Sequence, residues 1–312
     1  MRAPPKWLWT GGLIILLAGI CAAQDWGGGG RRWRGWRGAN NPEAPFVRTE
    51  GRDLVNEDTV RTARETASHS TGTPNWTNEA GFGGDVFTFA RVIYKFDRAS
   101  VPSQMAWIND YPDSDLNLSF RLQQLTSIKV DPDARTIKLT DEDLFNYPFI
   151  YMVKPGRMEL RDEEVPILRK YLNSGGALMA DDFWGDDDWA NFETQMKRVF
   201  PDRQWVELPM NHPIFQAPFP LHLKKDKNSL QVPSIHVWER RGVSHRGGQD
   251  TEQMHVRAWL DDKQRVMIIA THNTDNGDGW EREGEDEEYF RQFSETRAYP
   301  LGINIIVYLM TH

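Results

Sequence analysis

A glycine pair followed by a short apolar stretch and two aspartates constrains the fold more than any other segment of the chain. Residues 175–182 read Gly-Gly-Ala-Leu-Met-Ala-Asp-Asp. Gly175 is predicted to end a helix, because glycine readily adopts the left-handed conformation that many helix C-termini require. Residues 177–180 then form a strand, and Asp181 and Asp182 follow its carboxyl end. In an open α/β sheet, ligands bind just beyond the carboxyl ends of the strands.

Strand-like segments recur from residue 86 onward. Residues 149–153, Phe-Ile-Tyr-Met-Val, are continuously apolar, which is typical of a strand buried on both faces of a parallel sheet. Residues 128–130 and 136–139 flank a turn-forming Asp-Pro-Asp sequence and predict a hairpin. Further strands are predicted at residues 86–94, 177–180, 232–238, 256–260 and 266–271.

Helical patterns separate these strands. Ser114 and Asp162 are predicted to cap two helices, because their side chains can accept hydrogen bonds from the first helical turn. Strands that alternate with helices predict an α/β domain with a mostly parallel central sheet flanked by helices, over residues 85–312. The residues that define the helical faces are Leu118, Leu122 and Leu125, then Val165, Leu168 and Leu172, then Trp189, Phe192, Met196 and Val199, and finally residues 301–310 in a buried C-terminal helix.

The first 23 residues predict an export signal. Arg2 and Lys6 precede a short apolar run, and small residues at 21–23 suit cleavage. We therefore expect a periplasmic or extracellular protein, with an uncleaved N-terminal membrane anchor as the alternative and a lipoprotein as a third option. Cys21 is the only cysteine, so cleavage after Ala23 would leave no disulfide, thiolate metal site or cysteine nucleophile.

Residues 24–45 are rich in glycine, arginine and tryptophan and predict a linker. A flexible spacer is one interpretation, and peripheral contact with a membrane or an envelope polymer is the other, because arginine supplies charge and tryptophan favours interfaces. The formal net charge of −8 makes nucleic acid an unsuitable partner for the body of the protein. Residues 46–84 predict a weakly structured extension, with one helix near residues 59–67.

Six ordered blocks between residues 87 and 304 resemble a known bacterial family, the domain of unknown function 4159. The resemblance covers about residues 85–312, and it implies a class I glutamine amidotransferase-like fold. The blocks are Phe87-Thr-Phe-Ala-Arg91, Asp110-Tyr-Pro-Asp-Ser-Asp-Leu-Asn117, Leu139-Thr-Asp-Glu-Asp-Leu-Phe-Asn-Tyr-Pro148, Gly175-Gly-Ala-Leu-Met-Ala-Asp-Asp182, His212-Pro-Ile-Phe215 and Ala298-Tyr-Pro-Leu-Gly-Ile-Asn304.

The resemblance also implies where catalytic residues would lie. Active amidotransferases of this fold carry a cysteine on a tight strand-to-helix elbow and a later His-x-Glu pair. This chain has Asp181 and Asp182 at the corresponding strand end and no His-x-Glu sequence. It also has Lys154, followed by Pro-Gly, where many relatives carry His-Gly. The amidotransferase mechanism is therefore not expected.

The two aspartates allow three interpretations. They could bind a hard cation such as Ca²⁺ or Mg²⁺, helped by residues 186–188, which are all aspartate. They could act as an acid and a base in a hydrolase, although neighbouring residues on a strand point in opposite directions and so do not form a simple dyad. They could instead cap and charge the helix predicted near Trp189.

Polar residues in two other places could join the same crevice. His272, Asn273 and Asp275 follow a predicted strand, and a polar surface turn is the alternative interpretation. His212 precedes a proline and could line the crevice or form a turn. The ligand-binding candidates are Lys154, Asp181, Asp182, His212, His272, Asn273 and Asp275.

The function expected from these features is a non-catalytic binding module for a small polar ligand or a protein partner. Two alternatives stay open: a hydrolase that uses Asp181 or Asp182, with or without a divalent cation, and an envelope interaction protein tethered by residues 24–45. We expect no cofactor, with Ca²⁺ or Mg²⁺ as the alternative.

Overall fold

The computed structural model describes residues 45–82 and 85–312. The predicted export signal and all but the last residue of the predicted linker lie outside the described residues. Among the described helices, none combines the length and the apolar character that crossing a membrane requires.

A seven-stranded, mostly parallel sheet forms the centre of the fold and confirms the predicted α/β class. Two shorter antiparallel pairs, β1 with β2 and β4 with β7, lie outside this sheet. In chain order the strands are β1 Phe46–Arg48, β2 Leu54–Asn56, β3 Ala90–Ile93, β4 Lys95–Phe96, β5 Arg135–Lys138, β6 Phe149–Val153, β7 Met158–Glu159, β8 Ala177–Phe183, β9 Val206–Glu207, β10 His255–Leu260 and β11 Val266–His272.

The order of strands in the central sheet is β5-β3-β6-β8-β11-β10-β9. The pairs from β5 to β11 are parallel, whereas β10 is antiparallel to both β11 and β9. Every residue of β6, β8 and β11 is buried, as expected for central strands covered on both faces. The carboxyl ends of β6, β8 and β11 are therefore adjacent.

Helices connect the strands and flank the sheet. The face of α3 predicted from Phe192, Met196 and Val199 is buried, and α7 buries its first eight residues. The helices are α1 Asp113–Leu125, α2 Glu164–Asn173, α3 Gly185–Val199, α4 Ile235–Arg241, α5 Asn276–Glu281, α6 Glu287–Tyr289, a π-helical stretch Phe290–Ala298, and α7 Tyr299–Thr311.

Residues 46–82 carry the β1–β2 pair and two short 3₁₀ helices. Val47, Val55, Val60 and Ala63 from this segment join the hydrophobic core. A 3₁₀ turn at Ala63–Glu65 forms in place of the helix predicted near residues 59–67.

Two predicted strand arrangements are wrong. Residues 128–139 do not form a hairpin: β5 runs parallel to β3, and Val130 forms a parallel bridge with Phe87, so both arms pair with the same neighbouring segment. Residues 232–238 contain the start of helix α4 instead of a strand. Ser234 at its N-cap and Gly242 in a left-handed conformation at its end (φ 64°) are the helix signals that outweigh the apolar character of this segment.

Both predicted helix caps are also wrong. Pro112 and Glu163 occupy the N-cap positions of α1 and α2. Ser114 lies inside α1, where its hydroxyl accepts a hydrogen bond from Arg91 at 2.8 Å. Asp162 is fully exposed and pairs with Arg198 at 2.7 Å. Each side chain instead contacts an arginine from another element.

The glycine pair that precedes β8 allows a direct test of packing. A Cβ atom on Gly176 would lie 2.3–2.6 Å from ring atoms of Tyr171, whose hydroxyl donates to the Tyr147 carbonyl. We expect Gly176→Ala to lower the free energy of unfolding by about 1–3 kcal/mol, because the buried ring has no room to move. Urea denaturation measures the change. The control is Gly81→Ala, where a Cβ meets no atom within 4 Å, and an equal effect of both variants would contradict the account.

Candidate functional site

A β-bulge lies at the carboxyl end of β8. Ala180 pairs with Ala270 and Phe183 with His272, so Asp181 and Asp182 both lie opposite Thr271. A bulge of this kind redirects the side chains it contains. Asp182 has a left-handed backbone, with φ 55°. Strand β8 thus extends three residues beyond the predicted end and includes both aspartates.

Neither aspartate caps the helix that follows, so the capping interpretation is wrong. Trp184 occupies the N-cap position of α3, which begins at Gly185. The acids at residues 186–188 lie in the first turn of α3, and Asp188 pairs with Arg157 at 3.0 Å. Negative charge in the first turn complements the helix dipole.

Asp181 fixes the start of α5 against the end of β8. Its Oδ1 accepts hydrogen bonds from Thr271 Oγ1 at 2.5 Å and Asn276 Nδ2 at 2.8 Å. Its Oδ2 accepts from the Gly277 backbone N–H at 3.1 Å and the Tyr151 hydroxyl at 3.2 Å. Burial raises the pKa of Asp181 to about 6, although three of these donors act in the opposite direction. Structural hydrogen bonds therefore occupy both oxygens of the Asp181 carboxylate.

Asp182 binds a different set of donors. Its Oδ2 accepts from Lys154 Nζ and from Asn109 Nδ2, the latter at 3.0 Å. Its Oδ1 accepts from Trp184 Nε1 at 2.9 Å and Arg246 Nη2 at 3.4 Å. These four residues come from four separate segments of the chain. The two neighbouring aspartates therefore serve separate networks.

Asp110 and Asp275 bring two further carboxylates to Asp182. One carboxylate oxygen from each of these three buried residues lies within 4.8 Å of the others, and we call the three residues the inner acid cluster. Asp275 also caps α5, accepting from the Asp278 backbone N–H at 3.0 Å. Asp110 Oδ1 accepts from Asn109, but Asp110 Oδ2 is buried and has no hydrogen-bond partner.

Two cationic groups, Lys154 and Arg246, lie beside the three carboxyl groups of this cluster. Burial raises the pKa of Asp110 and of Asp275 well above the ordinary value, and the neighbouring carboxylates raise both further while Lys154 opposes them. Burial and the nearby Arg246 lower the pKa of Lys154, but Asp182, Asp275 and Asp110 outweigh them and leave it raised. The cluster therefore favours any additional positive charge, including protons.

Four residues around this region adopt left-handed backbone conformations: Asp110 (φ 59°), Lys154 (φ 47°), Asp182 (φ 55°) and Asn273 (φ 61°). This conformation is costly for a residue with a Cβ atom, least so for Asn and Asp. Such residues persist only where the surrounding structure holds them, and they are frequent at functional sites.

The structure brings Lys154, Asp182 and Asp275 together, with Asp181 beside them. His272 lies elsewhere: its ring packs 4.9 Å from that of Phe183, and its Nε2 hydrogen-bonds with the Gly185 carbonyl at 3.0 Å.

Asn273 and His212 have local structural contacts. Asn273 accepts from the Gly185 backbone N–H at 2.8 Å and donates to the carbonyls of Asp250 and Gln253. His212 Nδ1 accepts from the Ile214 backbone N–H at 3.3 Å, in the turn that was one of its two predicted roles. The contacts described for these two side chains do not include the inner acid cluster.

Sequence reasoning missed Asp110 and Arg246 as site residues. Asp110 lies in an Asn-Asp-Tyr-Pro sequence that indicates only a turn, although it begins one of the six blocks. Arg246 lies among the glycines at 242, 247 and 248, which indicate an exposed loop. Neither follows a recognisable strand, so the rule that ligands bind at strand ends does not point to them.

Arg246 closes the site toward solvent. Asp182 and Asp275 are 1% exposed and Lys154 is 5% exposed, whereas the Arg246 side chain is 28% exposed. Its guanidinium lies 5.5 Å from the centre of the Trp184 ring and 3.9 Å from Asp275. The predicted crevice is therefore covered by the loop that carries Arg246.

The Lys154–Asp182 pair can be tested by a double-mutant cycle. We expect Lys154→Met to lower the free energy of unfolding by about 3–5 kcal/mol, because it leaves Asp182 buried without its ammonium partner. Lys154→Met combined with Asp182→Asn should cost less than the sum of the single changes. Chemical denaturation of the four proteins gives the coupling, and strict additivity would contradict a direct interaction.

His272 makes a separate prediction about pH. Burial lowers its pKa to about 3, so the folded state holds the neutral ring while the unfolded state takes up a proton below about pH 6.5. The stability that this contributes is present above pH 6.5 and is lost as the pH falls toward 3. Denaturation at a series of pH values gives the free energy of unfolding as a function of pH. Between pH 6 and 4, its slope should be about 1.4 kcal/mol per pH unit shallower in His272→Gln than in the unmodified protein. The exposed His236→Gln is the control, and equal slopes in all three proteins would refute this role.

Comparison with known proteins identifies a family without a described activity. A family model described as a domain of unknown function, DUF4159, matches residues 88–310. No curated protein matches the chain. The matched region contains Asp110, Lys154, Asp182, Arg246 and Asp275. Because the match covers more than half of its length, this chain belongs to the DUF4159 family.

Proposed function

We propose that this protein is a non-catalytic binding module whose ligand is a small cation held by the inner acid cluster. The observation that carries the proposal is the buried, unpartnered Oδ2 of Asp110 within a group of three carboxylates. An unpaired buried polar atom is costly, and like charges in one cavity repel one another. A cation removes both costs. Ca²⁺ and Mg²⁺ are the preferred ions for carboxylate oxygens.

We further propose that the scaffold is amidotransferase-like, with Asp182 at the position of the nucleophile. The left-handed Asp182 lies near the end of β8, three residues before α3 begins, which is consistent with a tight strand-to-helix elbow. Its two oxygens already accept from four donors. Asp181 is similarly engaged. These hydrogen bonds argue against a hydrolase that uses either carboxylate, and a cation bound at Asp182 would take the place of Arg246.

Arg246 is the residue that an entering ligand meets first. Its guanidinium lies 3.4 Å from Asp182 and 3.9 Å from Asp275. The Arg246 guanidinium therefore lies beside two of the three carboxylates that would bind the cation. Gly247 and Gly248, with φ of 102° and 99°, give the adjacent backbone conformations that other residues rarely adopt. We propose that movement of this loop withdraws Arg246 and admits the ligand.

The predicted export and tether extend this proposal to the whole chain. Residues 1–23 would direct export, and residues 24–45 would hold the binding domain near a membrane or envelope polymer. Deleting residues 24–45 should then reduce the amount of protein that sediments with envelope fractions. An unchanged distribution would count against the tether.

Cation binding is tested by thermal unfolding of the full chain. Extracellular calcium sites have dissociation constants of about 10⁻⁴–10⁻³ M. We therefore expect about 10 mM Ca²⁺ or Mg²⁺ to raise the unfolding midpoint by about 2–5 °C. Asp275→Asn should abolish this shift while retaining the helix cap, because asparagine caps helices as well as aspartate does. Asp262→Asn, with a side chain 93% exposed, is the control.

Arg246→Ala gives a result in the opposite direction. Removing a competing positive charge should strengthen cation binding and enlarge the midpoint shift. The proposal fails if the midpoint does not respond to either cation, or if Asp275→Asn responds as fully as the unmodified chain.

A further inference from the structure

We propose that a second cation position adjoins the first, between Glu50, Asp110 and Glu281, and that the chain ahead of the family domain helps to build it. We call these three residues the outer acid cluster. One carboxylate oxygen from each lies within 4.8 Å of the others. Because the cluster shares Asp110 with the inner acid cluster, this inference rests on the proposed function.

Unpartnered buried atoms distinguish the outer acid cluster from an ordinary group of surface acids. Glu281, at the end of α5, is 0% exposed, and neither of its carboxylate oxygens has a hydrogen-bond partner among the described residues. Asp110 Oδ2 is the third buried oxygen of this kind. Buried carboxylates are normally hydrogen-bonded. Three buried oxygens on two neighbouring side chains thus lack a hydrogen bond, although the two on Glu281 lie within ion-pair distance of His69 and Arg282. We infer that a ligand completes their coordination.

The protein supplies too little positive charge here. Arg282 Nε lies 2.8 Å from Glu281 Oε2, but without the alignment of a hydrogen bond, and its Nη2 pairs with Glu50. The same guanidinium also faces Asp278 at 3.4 Å and Glu285 at 3.2 Å. One arginine thus serves four carboxylates. A divalent cation would add two positive charges where they are missing.

Asp110 is the residue that joins the two positions. A carboxylate has two oxygens and can bridge two cations, and paired ions in proteins lie about 3.5–4 Å apart. Asp110 is held in its left-handed conformation (φ 59°) between Asn109 and the start of α1. A Cβ on Gly277 would lie 2.2 Å from Asp110 Oδ2, so the glycine leaves room for this oxygen. We infer that Asp110 bridges an inner and an outer cation.

The outer acid cluster adjoins a surface pocket of about 550 Å³, lined by Glu50, Gly51, His69, Ser70, Thr71, Arg282 and Glu285. His69 Nε2 lies 3.4 Å from Glu281 Oε1, and the His69 backbone N–H donates to Asp113 Oδ2 at 2.9 Å. Asp113 belongs to α1 and so fixes residues 68–69 against the family domain. The pocket is lined by Glu50 and by His69, the neighbour of Glu281, so it brings solvent to the outer edge of the cluster.

Glu50 and His69 precede residue 88, where the family match begins. The segment ahead of the family domain therefore does more than add to the core. It provides one ligand of the outer cation position and one wall of the pocket that adjoins it.

The experiment measures how many Mn²⁺ ions the full chain binds, by equilibrium dialysis at about 1 mM Mn²⁺ in physiological salt. We expect two ions per chain. Glu50→Gln and Glu281→Gln should each bind one. The Glu50 side chain is 28% exposed, so its substitution by glutamine should leave the fold intact, and circular dichroism checks this. The control is Glu287→Gln, with a side chain 78% exposed, which should still bind two.

The outcomes separate this inference from the proposed function. The unmodified chain could bind one ion that both glutamine variants retain and Asp275→Asn loses. That result would overturn the outer position and leave the inner one. Two ions in the unmodified chain and in both glutamine variants would place the second ion elsewhere and also overturn the inference. Binding of no ion would overturn both proposals.

Discussion

The rest of the site depends on the hydrogen bonds that the Asp182 carboxylate accepts. This carboxylate accepts hydrogen bonds from Lys154, Asn109, Trp184 and Arg246, which belong to four segments far apart in the chain. Because the carboxylate is buried, each donor that is lost leaves a charge less well compensated. The bulge and the left-handed backbone at Asp182 place this carboxylate where all four segments can reach it.

Two neighbouring aspartates perform different tasks because the strand is irregular at this point. Asp181 fixes the N-terminus of α5 through Asn276 and the Gly277 backbone, whereas Asp182 belongs to the inner acid cluster. The helix that Asp181 fixes has Asp275 at its N-cap and Glu281 as its last residue, so its two ends hold one acid of each cluster. The position of α5 therefore controls both the inner and the outer acid cluster.

The parts of the fold that local pattern determines were predicted from the sequence. The continuous apolar run 149–153 is the buried strand β6, and the C-terminal helix lies where expected. The hairpin at 128–139 failed because parallel pairing with β3 joins distant segments and leaves no local signature. The strand-end rule singled out Asp182 and Asp275, and the family resemblance singled out Lys154; the structure places these three side chains near one another. Asp110 and Arg246 reach the site from irregular segments, which no periodic pattern marks.

The proposed function requires that the buried acids at the end of β8 bind a cation. Anomalous diffraction from crystals of the full chain grown with Mn²⁺ tests it most directly, because manganese scatters anomalously and its position can be assigned without a refined ligand. We predict a peak surrounded by the carboxylates of Asp110, Asp182 and Asp275. Ordered density for these three side chains with no anomalous peak among them would contradict the claim and leave the cluster as a purely structural network.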